Sequence, residues 1–528
     1  MKKYSNKIIL IALTVSVVVS SCKKQLEVTP RQSIDAATAL NTREEINASI
    51  VTMYSLFKNQ RLYGRDIIAL PEALADNGYA NGRSNRLVNE SRNVLPVATT
   101  GANHFTSTLW TNSYAAINQI NLTLEAIPAL QSLPVPTAAE IASWQGQLYF
   151  LRGLYYFELM RAYAYTPGAI VATQDKGGVV VNPNGFSNIA AATAYLPSRQ
   201  SVDSVYNYII ADFLKAETNL TDQPLEKNLA TKAAARAMLS RAYLYAKKYT
   251  ESKLWSDNAI TTFTPAKITD VGNYVSNWRS ADNTETIFQI RFALNSENIG
   301  VNESLQTTFT TLTAPGLTTV TAGFGDLVPT ATLLTDMGIL LVGGNTTTTY
   351  TSATNSSIAS RSTDVRNLLY EVGTAGRGKS FVECTKYLGK NGFVNLDNVP
   401  VIRLSEMYLN RAEAQATVGS PVFNPANALA DLKFIKSRRY VGYTGSALET
   451  ADNALTATQL YDEIIRQERI EFAFEGHRFF DLKRLGKDIV KSAPITSGTV
   501  QFTDARILAP IPQGEVDGNP NLKQNFGY

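Results

Sequence analysis

A stretch dense in both charged and aromatic side chains, residues 466–484, constrains the fold of this chain more than any other segment. It reads RQERIEFAFEGHRFFDLKR and contains a single glycine, Gly476. The four-residue spacing of Glu471 and Glu475 predicts one helix with both carboxylates on the same face. Two acids at that spacing repel each other unless basic groups neutralise them. Because arginines flank the pair on both sides, we expect a buried, salt-bridged helical segment that locks neighbouring helices together.

The same two carboxylates also allow a catalytic interpretation. A surface glycoside hydrolase works with a pair of carboxylates, one of which must be a general acid with a raised pKa. The arginines around Glu471 and Glu475 would instead keep both groups ionised. The sequence contains no Ser/His/Asp order or phosphate-binding loop that offers another mechanism. We therefore predict that the protein is not an enzyme and has no catalytic residues.

The length and charge of the chain limit the classes of protein that it can be. Its 528 residues can bury a large core and form more than one lobe. The formal net charge is +4, and the basic residues form no block. The composition is therefore that of an ordinary globular protein and gives no support for nucleic-acid binding.

The N-terminus indicates the compartment. Three lysines precede an apolar run over residues 8–19, which is too short to span a bilayer and is typical of a secretory signal. The run leads into Val-Ser-Ser-Cys, the pattern of a bacterial lipobox, with its cysteine at Cys22. We predict a lipoprotein signal peptide over residues 1–21 and lipid attachment at Cys22. An ordinary signal peptide followed by a chance cysteine is the alternative.

The remaining cysteine and the two histidines give no metal site. Once Cys22 is acylated, Cys384 is the only free thiol, and no intramolecular disulfide can form. His104 and His477 are the only histidines, too few for a zinc site of the usual Cys/His type. We expect neither a metal nor a cofactor.

Apolar residues at helical spacing predict a mostly α fold built from paired helices. The clearest pair covers residues 231–263, where a helix rich in small residues is followed by a break at 248–250 and then a second helix. Residues 403–416 and 425–437 repeat this design, with Pro425 in a first helical turn. Such pairs are typical of tetratricopeptide-type hairpins. Further helices are predicted at 44–58, 110–127, 145–165 and 201–220.

Residues 264–401 have a different composition. They are rich in Thr, Ser, Gly and Asn and contain only short β-like runs, at 286–292 and 317–320. We expect a loop-rich excursion on the helical frame, and loops on a rigid frame often carry binding residues. After it, the proline-punctuated tail over residues 507–528 is expected to pack against the body of the protein.

Several of these segments together resemble the SusD/RagB family of outer-membrane lipoproteins from Bacteroidetes. The most specific are residues 468–484, which read ERIEFAFEGHRFFDLKR, and the tail, with LAPIP at 508–512 and NPNL at 519–522. The lipobox, LADN at 74–77 and LRGLYYFEL at 151–159 add to the resemblance, which extends over nearly the whole chain.

The resemblance implies a mostly α fold with about four tetratricopeptide-like hairpins and a loop-rich second lobe that contains short β segments. It implies a helical region at 22–263, the excursion at 264–401, and a C-terminal helical region with its tail at 402–528. It also implies a lipid-anchored protein of the outer membrane that faces the cell surface and caps a SusC-like TonB-dependent transporter. The captured nutrient would be an oligosaccharide or a peptide. A protein that only binds the transporter, with no ligand of its own, is a further alternative.

Candidate ligand-binding residues lie in the loops. Sugar binding uses flat aromatic faces and a rim of amide, carboxylate and guanidinium groups. The loops supply eight such side chains: Asp76, Asn77, Tyr79, Asn81, Arg83, Trp278, Phe324 and Tyr350. The resemblance places Asp76 in or beside the ligand site. The last three aromatic residues rest on residue type and loop context alone, and each could instead be a buried anchor for its own loop.

Overall fold

Helices form most of the regular structure, and the strands are short, which confirms the predicted mostly α fold. The computed structural model describes residues 40–92, 104–130, 134–222, 226–264, 267–346, 357–390, 393–491 and 498–528. The predicted signal peptide, Cys22 and Tyr350 lie outside the described residues, so the predictions for them stay predictions.

The helices of the described residues include the segments predicted from apolar spacing. In chain order they are α1 (Arg43–Leu56), α2 (Asp66–Leu74), α3 (Val88–Arg92), α4 (Ser107–Ala126), α5 (Ala138–Tyr163), α6 (Ile189–Ala194), α7 (Val202–Asn219), α8 (Lys232–Tyr245), α9 (Tyr249–Phe263), α10 (Tyr274–Arg279), α11 (Leu305–Phe309), α12 (Ala331–Asp336), α13 (Leu404–Ala416), α14 (Pro425–Ser437), α15 (Ala447–Asn453), α16 (Ala457–Glu471), α17 (Arg478–Arg484) and α18 (Gln513–Gly518).

The strands form two-stranded antiparallel sheets. They are β1 (Gly78–Ala80), β2 (Thr286–Ile290), β3 (Leu327–Pro329), β4 (Ile339–Leu341), β5 (Ile358–Arg361), β6 (Tyr370–Val372), β7 (Val382–Cys384), β8 (Val399–Arg403), β9 (Ile489–Val490) and β10 (Thr499–Val500). The pairs are β1 with β3, β2 with β8, β4 with β5, β6 with β7, and β9 with β10. Since β1 belongs to the helical N-terminal part and β3 to the excursion, the first pair fastens the two together.

The long helices pack side by side as tetratricopeptide-like pairs. In the described part of the chain, α1 packs on α4, α5 on α7, α8 on α9, and α13 on α14, and the pairs contact one another in that order. Small residues set the close approach of α8 and α9, where the hydroxyl groups of Ser240 and Ser256 are 2.8 Å apart. Gly153 allows a similarly close approach of α5 and α7, because a Cβ at this position would lie 2.9 Å from the ring of Phe213.

Nearby residues cap the N-terminus of the central helix α5, and residues distant in sequence cap its C-terminus. Thr137 and Glu140 form a capping box at its N-terminus. At its C-terminus, the backbone amide of Ala509 donates to the carbonyl of Ala162 at 3.0 Å. The Asn525 amide donates to the carbonyl of Tyr163 at 2.8 Å. The tail therefore packs against the body, as predicted, and satisfies carbonyls that a helix end leaves open.

The stretch at 466–484 is buried and salt-bridged, but it is not one helix. Helix α16 ends at Glu471, and α17 begins at Arg478. The turn between them passes through Gly476 at φ +82°, where a Cβ would lie 2.4 Å from the carbonyl oxygen of Ile67. The prediction of Glu471 and Glu475 on one helix face was therefore wrong, because close packing against α2 requires a turn that only glycine fits.

Both carboxylates nevertheless join one buried charge network. Its members are Glu285, Asp364, Glu471, Glu475, Arg366, Lys386, Arg403 and Arg439, all of which are buried. Arg403 lies at its centre. Its Nη1 donates to Glu471 Oε1 at 2.9 Å, and its Nε donates to Glu475 Oε2 at 2.8 Å. Four acids thus meet four cations, which makes burial of the charges tolerable.

Replacing Glu475 by alanine removes one acid from this network and leaves Arg403 and Lys386 under-compensated in the interior. We expect the free energy of unfolding to fall by about 3–5 kcal/mol, as measured by urea denaturation. Glu44→Ala is the control, since Glu44 is an exposed carboxylate at the start of α1, and it should change stability by less than about 0.5 kcal/mol. An unchanged stability of Glu475→Ala combined with a selective loss of ligand binding would contradict the structural role.

Candidate ligand-binding site

Two of the predicted ligand residues, Asp76 and Asn77, follow helix α2 and are held by the 466–484 stretch. Arg478 donates to both oxygens of Asp76, at 2.7 and 2.9 Å. Arg469 Nε donates to Asn77 Oδ1 at 2.8 Å, and Asn77 Nδ2 donates to Glu72 Oε2 at 2.8 Å. Asn77 is fully buried. These hydrogen bonds fix the start of the loop that follows, and the ligand-binding role of the two residues stays a prediction.

The environment of Asp76 keeps its carboxyl group ionised. Burial opposes ionisation, but the hydrogen bonds from Arg478 and the charge of Arg469 outweigh that penalty. Together they lower the pKa of Asp76 from 3.8 to about 2. At neutral pH this side chain is therefore an anion that is already paired with two guanidinium groups.

The next predicted residues lie on β1 and on the loop after it. Tyr79 is half-buried on β1, where it pairs with Val328 of β3. Asn81 Nδ2 donates to the carbonyl of Gly325 at 2.7 Å. Arg83 donates to Glu383 Oε1 at 2.5 Å and to the carbonyl of Lys379 at 2.6 Å. Its side chain is only 4% exposed. These contacts bring the early loop and two segments of the excursion together.

Phe324 lies at this junction, and the guanidinium groups of two arginines lie near its ring. The Cζ atom of Arg86 lies 4.5 Å from the ring centroid, and that of Arg377 lies 4.0 Å from it. Phe381 is contacted in the same way, by Arg83 at 5.2 Å and by Lys379 at 5.1 Å. The structure thus brings the predicted residues Arg83 and Phe324 together, within a cluster of cations that the sequence did not reveal.

We call this cluster the cationic patch. It consists of Arg83, Arg86, Arg377 and Lys379 around the rings of Phe324 and Phe381, with the carboxylates of Asp326 and Glu383. Four cations against two acids leave a formal charge of +2. Arg377 is exposed and has no ion pair with a described residue, and its Nε donates to the carbonyl of Gly323 at 2.8 Å. Arg86 Nη1 is buried without a hydrogen-bond partner. The patch therefore retains unused N–H donors.

A cavity of about 230 Å³ adjoins the patch, and Arg86 lines both. Its charged lining residues are Arg61, Arg65, Asp66, Arg86, Glu90 and Glu303. Among the described lining residues, three cations balance three acids, so the net positive charge of the region lies on the patch. His104 also lines the cavity, and burial lowers its pKa to about 3, so its ring is neutral.

Trp278 lies elsewhere. It is on α10, is 1% exposed, and its ring is approached by Lys386 at 4.8 Å and by Arg403 at 5.2 Å. Both cations belong to the buried charge network. This is the placement of a loop anchor, which the sequence left open as the alternative. A role for Trp278 in ligand binding stays an untested prediction.

The electrostatics of Glu471 do not suit a general acid. Burial opposes ionisation of Glu471, but Arg439 and Arg403 outweigh it and hold the pKa of this group well below its usual range. Such a carboxylate has no proton to give at neutral pH. Among the described residues, no group of three or more His, Cys, Asp and Glu side chains could hold a metal ion.

Two family models match this chain. One is that of the SusD family, over residues 345–528, and the other, described as starch-binding and associating with the outer membrane, matches residues 24–244. The chain belongs to the SusD family. The resemblance seen in the sequence is thereby confirmed, and the family is one of carbohydrate-binding proteins associated with the outer membrane. No helix in the described part of this SusD family member is long and apolar enough to cross a membrane.

Relatives of the SusD family are similar over the whole chain. SusD-like protein P38 of Formosa agariphila is 24% identical over 555 residues, which cover 100% of both chains. A SusD superfamily protein from Bacteroides thetaiotaomicron has the same fold, with a TM-score of 0.71 at 22% identity over 91% of this chain and 99% of that one. A laminarin-binding SusD-like protein superposes with a TM-score of 0.63 at 20% identity over 92% and 100% of the two chains.

Acid should remove the stabilisation that Asp76 provides. Its pKa is lower in the folded protein, so the ionised carboxylate stabilises the fold above about pH 4, and this contribution is lost as the pH falls towards 2. The difference between the pKa of Asp76 in the folded protein and its ordinary value corresponds to roughly 2 kcal/mol. We expect Asp76→Asn to be about that much less stable than the wild type at pH 7, with the gap narrowing towards pH 3, in urea denaturation.

The exposed Asp203, in the first turn of α7, gives the matched control. Asp203→Asn should leave stability nearly unchanged at every pH. A deficit of Asp76→Asn that stays constant from pH 7 to pH 3 would contradict the assignment.

Proposed function

We propose that this SusD family protein captures an oligosaccharide at the cell surface and delivers it to a SusC-like TonB-dependent transporter in the outer membrane. The observation that carries the proposal is the cationic patch. Ion pairs there join the early loop to the excursion, and the patch exposes the guanidinium group of Arg377, which has no ion pair with a described residue. Such preorganised donors suit the hydroxyl and carboxylate oxygens of a saccharide.

Both the early loop and the excursion would contribute residues to ligand binding. Phe324 and Arg83 lie at the patch, and we propose that Arg377, which the sequence analysis did not select, is its main ligand contact. Asp76 and Asn77 would position the loop through their pairs with Arg478 and Arg469. Tyr79, Trp278 and Tyr350 remain predicted ligand residues without further support.

The class of ligand is part of the proposal. The family models and the laminarin-binding relative favour a saccharide over a peptide. The guanidinium groups of Arg86 and Arg377 lie 4.5 and 4.0 Å from the ring centroid of Phe324, which argues that hydrogen bonds and charge, rather than ring stacking, dominate at this site. A peptide with acidic side chains is the competing ligand that the same donors would accept.

A binding protein fits the residues better than a hydrolase does. Glu471 is ionised, fully buried and hydrogen-bonded to arginines, so neither substrate access nor proton donation is available there. Incubation with oligosaccharides should give no cleavage products. Turnover that Glu471→Gln abolishes would overturn the proposal.

Replacing Arg377 by alanine tests the patch. We expect about a tenfold loss of affinity, roughly 1.4 kcal/mol, for the strongest binder from a glycan panel that includes laminarin oligosaccharides, as measured by isothermal titration. The melting temperature should not change, because the side chain is exposed. Lys487→Ala removes an exposed cation outside the patch and should leave affinity unchanged. Because the Arg377 variant also uncovers one face of Phe324, an increase in affinity would show that ring stacking dominates instead.

Lipid anchoring and the transporter require a separate test in cells. We expect Cys22→Ala to abolish incorporation of labelled palmitate and to move the protein out of the outer-membrane fraction. The wild type should co-purify with a barrel transporter from that fraction. Co-purification without binding to any glycan or peptide would favour the alternative of an interaction protein that has no ligand of its own.

A further inference from the structure

A second and larger cavity, of about 430 Å³, lies between helix α4, the segment 180–197 and the C-terminal tail. We call it the tail pocket. None of its lining residues belongs to the cationic patch or to the cavity beside the patch. Nothing in the proposed function uses it.

Hydrogen bonds hold both ends of the segment that forms its outer wall. At one end, Asn118 of α4 exchanges two hydrogen bonds with the backbone of Phe186, at 2.7 and 3.0 Å. At the other end, the tail residues Asn519 and Asn521 donate to the carbonyls of Pro197 and Leu196, each at 2.8 Å. The pocket is therefore built from three separate parts of the chain, and its walls are fixed before any ligand arrives.

Aromatic rings lie on two of its walls. On α4, the ring centroids of Trp110 and Tyr114 are 4.8 Å apart. On the outer wall, those of Phe186 and Tyr195 are 5.0 Å apart. Unlike the rings of the cationic patch, none of these four is covered by a lysine or arginine among the contacts of the described residues.

Four polar groups of the lining are unused, and they are of mixed type. The indole N–H of Trp110, the side-chain amide of Asn182, the hydroxyl of Tyr195 and the carboxylate of Glu515 make no hydrogen bond or ion pair with another described residue. The amide oxygen of Asn182 is also buried. Among the described residues of the lining, Glu515 is the only charged one. The pocket thus offers donors and acceptors together, without a cation.

We propose that the tail pocket is a second saccharide site and binds a neutral sugar unit. A sugar hydroxyl both donates and accepts, so one ligand type can pair with the indole, the amide, the phenol and the carboxylate. Its C–H faces pack on aromatic rings. An acidic sugar is disfavoured, because its charge would face Glu515, and the described lining residues include no cation. A purely apolar side chain would leave the polar groups unpaired, at a cost.

The two sites then differ in what they select. The cationic patch provides guanidinium donors and favours acidic or strongly polar groups, whereas the tail pocket provides aromatic faces and favours neutral units. One protein could hold a saccharide chain at two points, which raises its overall affinity without new contacts at either point.

The test counts bound ligands. Native mass spectrometry of the full chain with a mixture of neutral and acidic trisaccharides should find two bound ligands at saturation, one acidic trisaccharide at the patch and one neutral trisaccharide at the tail pocket. Tyr195→Ala should retain one, with about a tenfold loss of affinity at the tail pocket. Ile189→Ala is the matched control, since Ile189 belongs to the same wall and is 81% exposed but does not line the pocket. It should retain both.

The remaining outcomes separate this inference from the proposed function. If Arg377→Ala abolishes all binding and Tyr195→Ala none, the tail pocket is not a saccharide site, although the patch is. If Tyr195→Ala abolishes all binding and Arg377→Ala none, the inference stands and the patch is not the ligand site. If Tyr195→Ala instead turns a dimer into a monomer in size-exclusion chromatography, the pocket is a contact between copies and the inference is overturned.

Discussion

The pairing of Arg403 with Glu471 and Glu475 is the interaction on which the rest of the structure depends. Arg403 ends strand β8, Glu471 ends α16, and Glu475 lies in the turn after it. Arg439, which follows α14, donates to Glu285 and to Glu471. A buried charge that loses its partner costs several kcal/mol. Glu285 and Lys386 of the excursion pair with Arg403, Arg439 and Glu475, which lie outside it. The helical frame and the excursion therefore bury this network together.

Local patterns predicted the elements better than they predicted the meeting of distant side chains. Apolar spacing and Pro425 placed α13 and α14, and small residues placed the α8–α9 pair. The turn at Gly476 was not predicted, because the contact that requires it is with the backbone of Ile67, some 400 residues earlier in the chain. A tight turn of this kind depends on a tertiary contact that no local window contains.

At the candidate site, too, the sequence did not show which side chains are already paired in the fold. Arg83 was selected from its loop and proved to be paired with Glu383, whereas Arg377, which was not selected, is the exposed cation without an ion pair among the described residues. Trp278 was selected as an aromatic side chain in a loop and is buried against the charge network. The residue type determines which interactions a side chain can make. Only the fold determines whether another residue of the protein already makes them.

The closure of helix α5 by the tail also sets an order of events in time. Asn525 comes 362 residues after Tyr163, whose carbonyl it caps. At synthesis rates of 5–20 residues per second, roughly 20–70 s separate the two residues. Contacts across so long a chain also slow folding once synthesis is complete. The longest helix in the described part of the chain thus remains open at one end until nearly the last residue has been added, and its folding is in large part a post-translational event.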